Sequence, residues 1–217
     1  SINGVRKSIE RVGDANGRLA QAMLPLAAVT AGVGAFAAKS VTGFLDTAGA
    51  LKDMSDRTGF SAEQLQEWLY VAEKSGVGAD SFQGAMEKLN KTIFDAAGGK
   101  NQGAADLFKK MGISLRGANG ELVKAVDVLP KMAGAFAGTE NPTLRTAMAM
   151  QLMGKSGGAL IGVLAQGSDA ILKQQQEARG LGLIMSNASV DAADTFGDER
   201  LSKLNKQLTA MQNNIGD

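Results

Sequence analysis

Apolar side chains recur at alternating steps of three and four residues through the first 26 residues of the chain. This heptad spacing is typical of a coiled-coil seam, so it predicts a helix that associates with other copies of itself. Asn16 is the polar member. A buried Asn at such a position fixes register and oligomeric state, whereas beside Gly13 and Gly17 it can equally mark a frayed turn. The predicted seam is Ile2, Val5, Ile9, Val12, Asn16 and Leu19, continued by Met23 and Leu26.

The same spacing returns near the other end of the chain, with charged and polar side chains on the remaining faces. It predicts an outgoing coiled-coil helix over residues 188–217, which Asn187 or Ser189 can begin. We expect the two seams to hold three copies of the chain together. Because neither pattern has a clear stop, we also expect these residues to be a segment of a longer protein. The second seam is Leu201, Leu204, Leu208, Met211 and Ile215.

Residues 19–38 carry no charge over twenty positions and are rich in Ala. Twenty residues can span a hydrocarbon core, but so many Ala and Gly residues make membrane insertion only marginally favourable. Small side chains also allow close contact between helices. Two interpretations therefore stay open, a buried or self-associating helix and a membrane segment. The residues concerned are Ala28, Val29, Ala31, Gly32, Val33, Ala35 and Phe36.

Between these flanks, short helical patterns alternate with Gly. We predict an all-α fold in which residues 46–187 form a compact multi-helical domain. Residues 1–45 precede it as a heptad helix and a small-residue apolar helix, and the long helix 188–217 follows it. Around Asn119-Gly120, residues 113–123 have the pattern of a short β-hairpin. An α/β fold is not expected, because no run of Val, Ile and aromatic residues recurs between the helices.

Several helix ends are predicted from local signals. Ser61 and Gln64 form a capping box before an apolar face that includes Leu65 and Trp68. Asp80 or Ser81 is expected to cap the next helix. The remaining signals are Asn101 as a cap, Pro142 at a helix start with Leu144 on its apolar face, and Gly154 as a helix stop.

Composition excludes several kinds of site. The chain has no Cys and no His, which removes imidazole and thiol catalysis, Cys/His zinc sites and disulfides within it. A formal charge of +1 gives no overall field that attracts nucleic acid. We therefore predict no catalytic residue, no metal site and no cofactor, and any contact with DNA is expected to be indirect.

Two further chemistries can be tested against the sequence. Paired carboxylates could act as acid and base without His, but the available ones fall where exposed helix faces or caps are expected. Gly154-Lys155-Ser156 contains part of a phosphate-binding loop, but the Gly required five residues earlier is Ala149. Both patterns are explained by helix surfaces and helix ends. The carboxylates considered are Glu63, Glu67, Glu73, Asp80 and Glu87.

The order of residues over 46–204 resembles the core region of phage tail tape measure proteins. The resemblance begins at Asp46 and Ala48 and runs through Leu51-Lys52-Asp53-Met54-Ser55-Asp56-Arg57-Thr58-Gly59-Phe60-Ser61, Leu65-Gln66, Tyr70 and Ser75-Gly76-Val77. It continues through Phe82, Ala85, Leu89, Lys91, Phe108, Met111-Gly112-Ile113-Ser114-Leu115 and Gly120 to Met153-Gly154-Lys155-Ser156-Gly157, Ala193-Asp194 and Phe196. These are packing and turn residues, so the resemblance rests on their order.

The resemblance implies a structural protein of the virion, located in the lumen or tip of the tail and assembled in the host cytoplasm. Such proteins set tail length and are ejected before the DNA, which they help to cross the host envelope. Expected partners are other copies of the chain, tail tube and tail-tip proteins, tail assembly chaperones, and the host membrane during ejection. A pore-forming protein that inserts residues 19–38 is the alternative, and a cell-wall hydrolase is a third class.

Overall fold

The computed structural model describes the backbone of residues 41–196 and the side chains of residues 47–195. Eight α-helices occur in this range, and they pack into one multi-helical domain, as the sequence predicts. They are α1 (Val41–Thr58), α2 (Ala62–Lys74), α3 (Ala79–Ala97), α4 (Gln102–Lys110), α5 (Ala125–Ala137), α6 (Pro142–Leu164), α7 (Ser168–Gly180) and α8 (Asn187–Phe196).

Helix α3 is the centre of the domain, because it packs against α1, α2, α4, α5 and α6. Phe82 on α3 meets two aromatic rings, Phe60 at a centroid distance of 5.9 Å and Trp68 at 6.4 Å. This aromatic group is buried and joins the first three helices. The buried apolar face of α3 consists of Phe82, Ala85, Met86, Leu89, Ile93 and Ala96.

The most extensive helix pair is α3 with α6, and small residues bring their backbones close together. A Cβ on Gly84 of α3 would lie 3.2 Å from the Ser156 Oγ of α6. Helix α6 is broken at Gly154, whose φ of 66° and ψ of −155° are not helical. The predicted stop at Gly154 is thus a kink between two helical halves, since the chain resumes a helical path directly afterwards.

Local end signals are confirmed at two helices. The Ser61 hydroxyl accepts from the Gln64 backbone N–H, and the Gln64 side chain accepts from the Ser61 N–H, which completes the capping box of α2. The Asn101 side chain accepts from the Ala104 N–H at the start of α4. Both signals act within three residues, so neither depends on the rest of the fold.

The predicted cap of α3 is wrong. The helix begins at Ala79 after an N-cap at Gly78, which makes no side-chain hydrogen bond. Asp80 and Ser81 therefore lie inside the first helical turn. The Asp80 carboxylate is placed where the positive end of the helix dipole favours a negative charge, which gives this residue a role without capping.

The hairpin predicted over 113–123 is not confirmed as strands, because residues 41–196 contain no β-strand. One antiparallel bridge joins Arg116 to Leu122, and the turn is closed by a hydrogen bond of 2.8 Å from the Gly117 N–H to the Glu121 carbonyl. Gly120 has the positive φ expected of the Asn-Gly turn, at 82°. The turn chemistry is present, but the segments beside it are too short to form a ladder.

Helices α1 and α8 lie side by side and run in opposite directions. The Asp194 Oδ1 lies 4.0 Å from the position of a Cβ on Gly49, and the Asp191 Oδ1 lies 3.9 Å from the Lys52 Nζ. A step forward along α1 is thus matched by an equal step backward along α8. The chain therefore enters and leaves the described domain at the same end.

Candidate functional site

The sites predicted from sequence lie outside the described side chains. This holds for both heptad seams, over 2–19 and 201–215, and for the small-residue segment over 28–36. Among the helices of residues 41–196, none is both long enough and apolar enough to cross a membrane. The surfaces that can be characterised are therefore those of the domain between the flanks.

The acidic residues considered for catalysis are spread over several helices. Within residues 47–195 there is no group of three or more carboxylates that could hold a metal ion. Glu87 accepts a hydrogen bond of 2.8 Å from Gln83 one turn earlier, and Asp56 pairs with Lys52 at 3.2 Å. Both are pairs on the surface of a single helix, which is the structural role expected from the sequence.

Glu67 contradicts the expectation that these carboxylates are exposed. Only 4% of the residue is accessible to solvent, although it lies on a helix of mixed polar character. The Arg179 Nε, from α7, donates to the Glu67 carboxylate, and this guanidinium covers the acid while staying largely exposed itself. The carboxylate raises the pKa of Arg179. Burial of Glu67 is therefore produced by a partner 112 residues away in the sequence.

Farther along the same face of α2, Lys74 and Tyr70 both bind Glu177 of α7. The Lys74 Nζ lies 2.8 Å from one Glu177 oxygen, and the Tyr70 hydroxyl donates to the other at 3.0 Å. These two hydrogen bonds lower the pKa of Glu177, and the pKa of Lys74 is raised by the same contact. Partial burial, together with Glu177, raises the pKa of Tyr70.

The start of α2 is tied to the start of α8 by reciprocal hydrogen bonds. The Glu63 N–H donates to the Asn187 Oδ1 at 3.1 Å, and the Asn187 N–H donates to the Glu63 Oε1 at 3.0 Å. Each side chain thereby satisfies a free N–H at the N-terminus of the other helix. Nearby, the Gln66 amide donates to the Met185 carbonyl at 3.0 Å and accepts from the Met185 N–H at 2.9 Å.

These contacts form one polar strip along α2, made of Glu63, Gln66, Glu67, Tyr70 and Lys74. All of its partners belong to the segment 177–187, which leads from α7 to α8. The strip fixes the point at which α8 starts and, with the packing of α8 on α1, the direction in which it leaves. Its chemical capacity is structural, because each carboxylate is occupied by a donor from the protein.

The polar strip was missed by sequence reasoning, and the spacing of its α2 residues is the one signal that could have indicated it. Positions 63, 66, 67, 70 and 74 lie on one helical face. The sequence offers no means of finding their partners, which lie 103 to 124 residues away.

A second buried polar junction links three helices. The Asn90 amide of α3 donates to the Thr58 carbonyl at the end of α1, at 2.7 Å. Its oxygen accepts from the Ala125 N–H at the start of α5, at 2.9 Å. One side chain thus satisfies a free carbonyl and a free N–H of two different helix ends, which fixes the end of α1 against the core.

The Gly-Lys-Ser sequence lies at the kink of α6. Gly154 supplies the positive φ, and the aliphatic chain of Lys88 from α3 passes 3.4 Å from where its Cβ would be. Ser156 faces Gly84 on the same neighbouring helix. These residues hold α6 against α3, in agreement with the interpretation that the pattern marks a helix end.

Large apolar side chains are more than half exposed at five positions of the domain. Leu144 is one of them, at 51% exposed, although the sequence predicts it on the apolar face of α6. That helix buries its later residues Met148, Leu152 and Met153, while its first turn extends beyond the core. The five residues are Phe94, Leu144, Met150, Leu172 and Leu181.

Comparison of the chain with protein-family models, with curated proteins and with solved structures finds no match.

Proposed function

We propose that this chain is a segment of a phage tail tape measure protein. In this role it is a structural component of the tail lumen or tip that contributes to tail length during assembly and is ejected ahead of the DNA. The observation that carries the proposal is the position in the fold of the residues that resemble this family. They occupy backbone turns, helix caps and the core, so the resemblance concerns the domain as a folded unit.

Glycines illustrate the point most clearly. Gly59, Gly112, Gly120 and Gly154 all belong to the resembling pattern, and all four have φ between 66° and 82°. L-residues with a side chain rarely adopt this conformation, because Cβ then clashes with the backbone. A shared order of such glycines therefore means a shared order of turns, which is a property of the fold.

The apolar members of the pattern support the same conclusion. They come from five different segments of the chain, and they meet in one core. Residues that determine packing over so long a stretch are a more specific sign of relationship than any single helix pattern. These residues are Phe60, Leu65, Phe82, Ala85, Leu89, Phe108, Ile113 and Met153, each at most 4% exposed.

The proposal is tested in the phage whose genome encodes the chain. Two matched in-frame deletions, of residues 26–39 and 204–217 together, remove fourteen residues from each flank and leave the domain intact. At 1.5 Å per helical residue, mean tail length should fall by about 21 Å if the flanks run side by side, or about 42 Å if they follow one another. Electron microscopy of purified particles measures the change.

The control variant replaces the same residues with an unrelated helical sequence of equal length, and its tails should keep the original length. Unchanged tails in the deletion variant would contradict a length-setting role. Mass spectrometry provides a second test, since the protein should be present in intact tails and depleted from particles that have released their DNA. Its absence from tails would contradict the proposal directly.

A further inference from the structure

The α1–α8 interface defines a register that can be continued past the ends of the described domain. Gly49 lies beside Asp194 and Lys52 beside Asp191, so the residue numbers of each facing pair add to the same total. Ala48 and Leu51 of α1 are buried, as are Val190 and Ala193 of α8. The interface is therefore a packed antiparallel helix pair, and nothing in its geometry ends it at Val41 or Phe196.

We propose that this pairing continues into both flanks of the same chain. The C-terminal seam Leu201, Leu204, Leu208, Met211 and Ile215 packs on the small-residue face of residues 28–39, and the two segments form an antiparallel stalk beneath the domain. The occupant of the small-residue face is thus the outgoing helix of the same molecule.

Counting heptads gives the pairs. Two heptads back from Gly49 is Ala35, and two heptads on from Asp194 is Leu208. Three heptads back is Ala28, and three heptads on is Ile215. The same register places Gly32 opposite Met211. The two stripes were found separately in the sequence, yet the register of the described helices brings their members opposite one another.

The side-chain sizes in these pairs are complementary. Each large apolar residue of the outgoing seam faces Ala or Gly, which allows the helix backbones to approach and the large side chain to fill the space. The outgoing seam is also in phase with the established interface, because Leu204 and Met211 lie two and three heptads after the buried Val190. One continuous apolar face therefore runs from the domain into the stalk.

Covalent connection favours this partner over another copy of the chain. Both flanks start at the same end of the domain, so each faces the other at an effective concentration in the millimolar range, of the order expected for short linkers. This pairing does not depend on the tail function, since it follows from the register of α1 and α8 and would hold for the isolated chain.

The absence of cysteine makes the pairing directly testable, because introduced thiols are then the only ones present. The double variant Ala35→Cys/Leu208→Cys is treated with a short bifunctional maleimide at low protein concentration. Ala28→Cys/Leu201→Cys is the matched control. It places the same residue types in the same two stripes, but fourteen residues out of register, or about 21 Å along the helix. Lys52→Cys/Asp191→Cys checks the chemistry at a contact of known geometry.

The in-register pair should cross-link within one chain with a yield at least about ten-fold above the out-of-register control, as expected for tethered thiols. Mixing chains labelled with ¹⁴N and ¹⁵N distinguishes the two kinds of link by peptide mass. Linked peptides that mix the isotopes would show that the seam binds another copy, which overturns the proposal. Equal yields from the two pairs, or no link when the Lys52→Cys/Asp191→Cys variant reacts, would overturn it as well.

Discussion

Glu67 shows how a residue with an unremarkable helical position acquires a defined environment. Its neighbours along α2 give no sign of burial, and the sequence favours an exposed carboxylate. Arg179 comes from α7 and covers it, so that a charged hydrogen bond replaces the water that Glu67 loses. A buried charge is tolerated when such a donor is present, and the donor is supplied only by the tertiary fold.

Glu177 should make the stability of the domain depend on pH. Its pKa lies below the ordinary value of 4.5 because Lys74 and Tyr70 bind the ionised form. The stabilisation is therefore complete at pH values above 4.5 and is lost as the pH falls through the lowered pKa of the folded state. In Glu177→Gln this contribution is absent, so the urea midpoint should be lower than that of the wild type at pH 7.

The difference between the two proteins should shrink towards zero at pH 3, as measured by urea unfolding followed by circular dichroism. Glu73→Gln is the matched control, because it changes an exposed glutamate on the same helix. A difference that stays constant between pH 7 and pH 3 would mean that the lowered pKa of Glu177 does not contribute to folding.

At the scale of elements, α6 shows why two adjacent glycines have different roles. The kink at Gly154 brings Gly157 against the preceding turn, where an added Cβ would lie 2.5 Å from the Ala149 carbonyl oxygen and 2.7 Å from the Met153 Cβ. Gly158 faces solvent, and nothing lies within 4 Å of the position of its Cβ. The first glycine is required by a close approach, and the second is not.

Gly157→Ala should therefore destabilise the domain by about 1–3 kcal/mol, as overpacking does in a well-packed core. Gly158→Ala should be neutral or stabilise it by up to about 1 kcal/mol, because Ala has the higher helix propensity. The free energy of unfolding in urea measures both. If the two variants were equally stable, the close contact between the two halves of α6 would be contradicted.

For the whole molecule, the antiparallel pair of α1 and α8 has the largest consequence. It makes the domain a unit whose chain ends leave together, so residues added within the domain do not lengthen the path between its flanks. In a tail, length would then be set by the flanking helices and by any helical sequence joined to them, while the domain would add bulk at one level of the lumen.

Self-association should depend on the N-terminal seam. By the register of the stalk, Leu26 faces Asp217, so residues 1–25 have no partner within the 217-residue chain. Their seam, which includes Ile9 and Val12, remains free to bind other copies, and we expect three. Light scattering should show an oligomer for residues 1–217 and a monomer for residues 26–217. A full-length chain that stays monomeric at high concentration would contradict the predicted seam.

The sequence by itself determined the helices and most of their ends. The capping box at Ser61, the cap at Asn101 and the positive φ of Gly154 depend on atoms a few residues away, so composition and spacing are sufficient to predict them. Two local predictions were wrong for the same physical reason. Asp80 lost the cap to Gly78, and Leu144 remained exposed, because the packing of α3 and α6 decides where each helix begins to face the core.

The tertiary structure alone decided which surfaces meet. The polar strip on α2, the bridge made by Asn90 and the pairing of α1 with α8 join residues far apart in the chain, and a single sequence carries no measure of such distances. The sequence identified two apolar stripes in the flanks and could assign them to other copies of the chain or to a membrane. The fold places the two flanks side by side in antiparallel register, and this proximity is the physical reason to expect that the stripes bind each other.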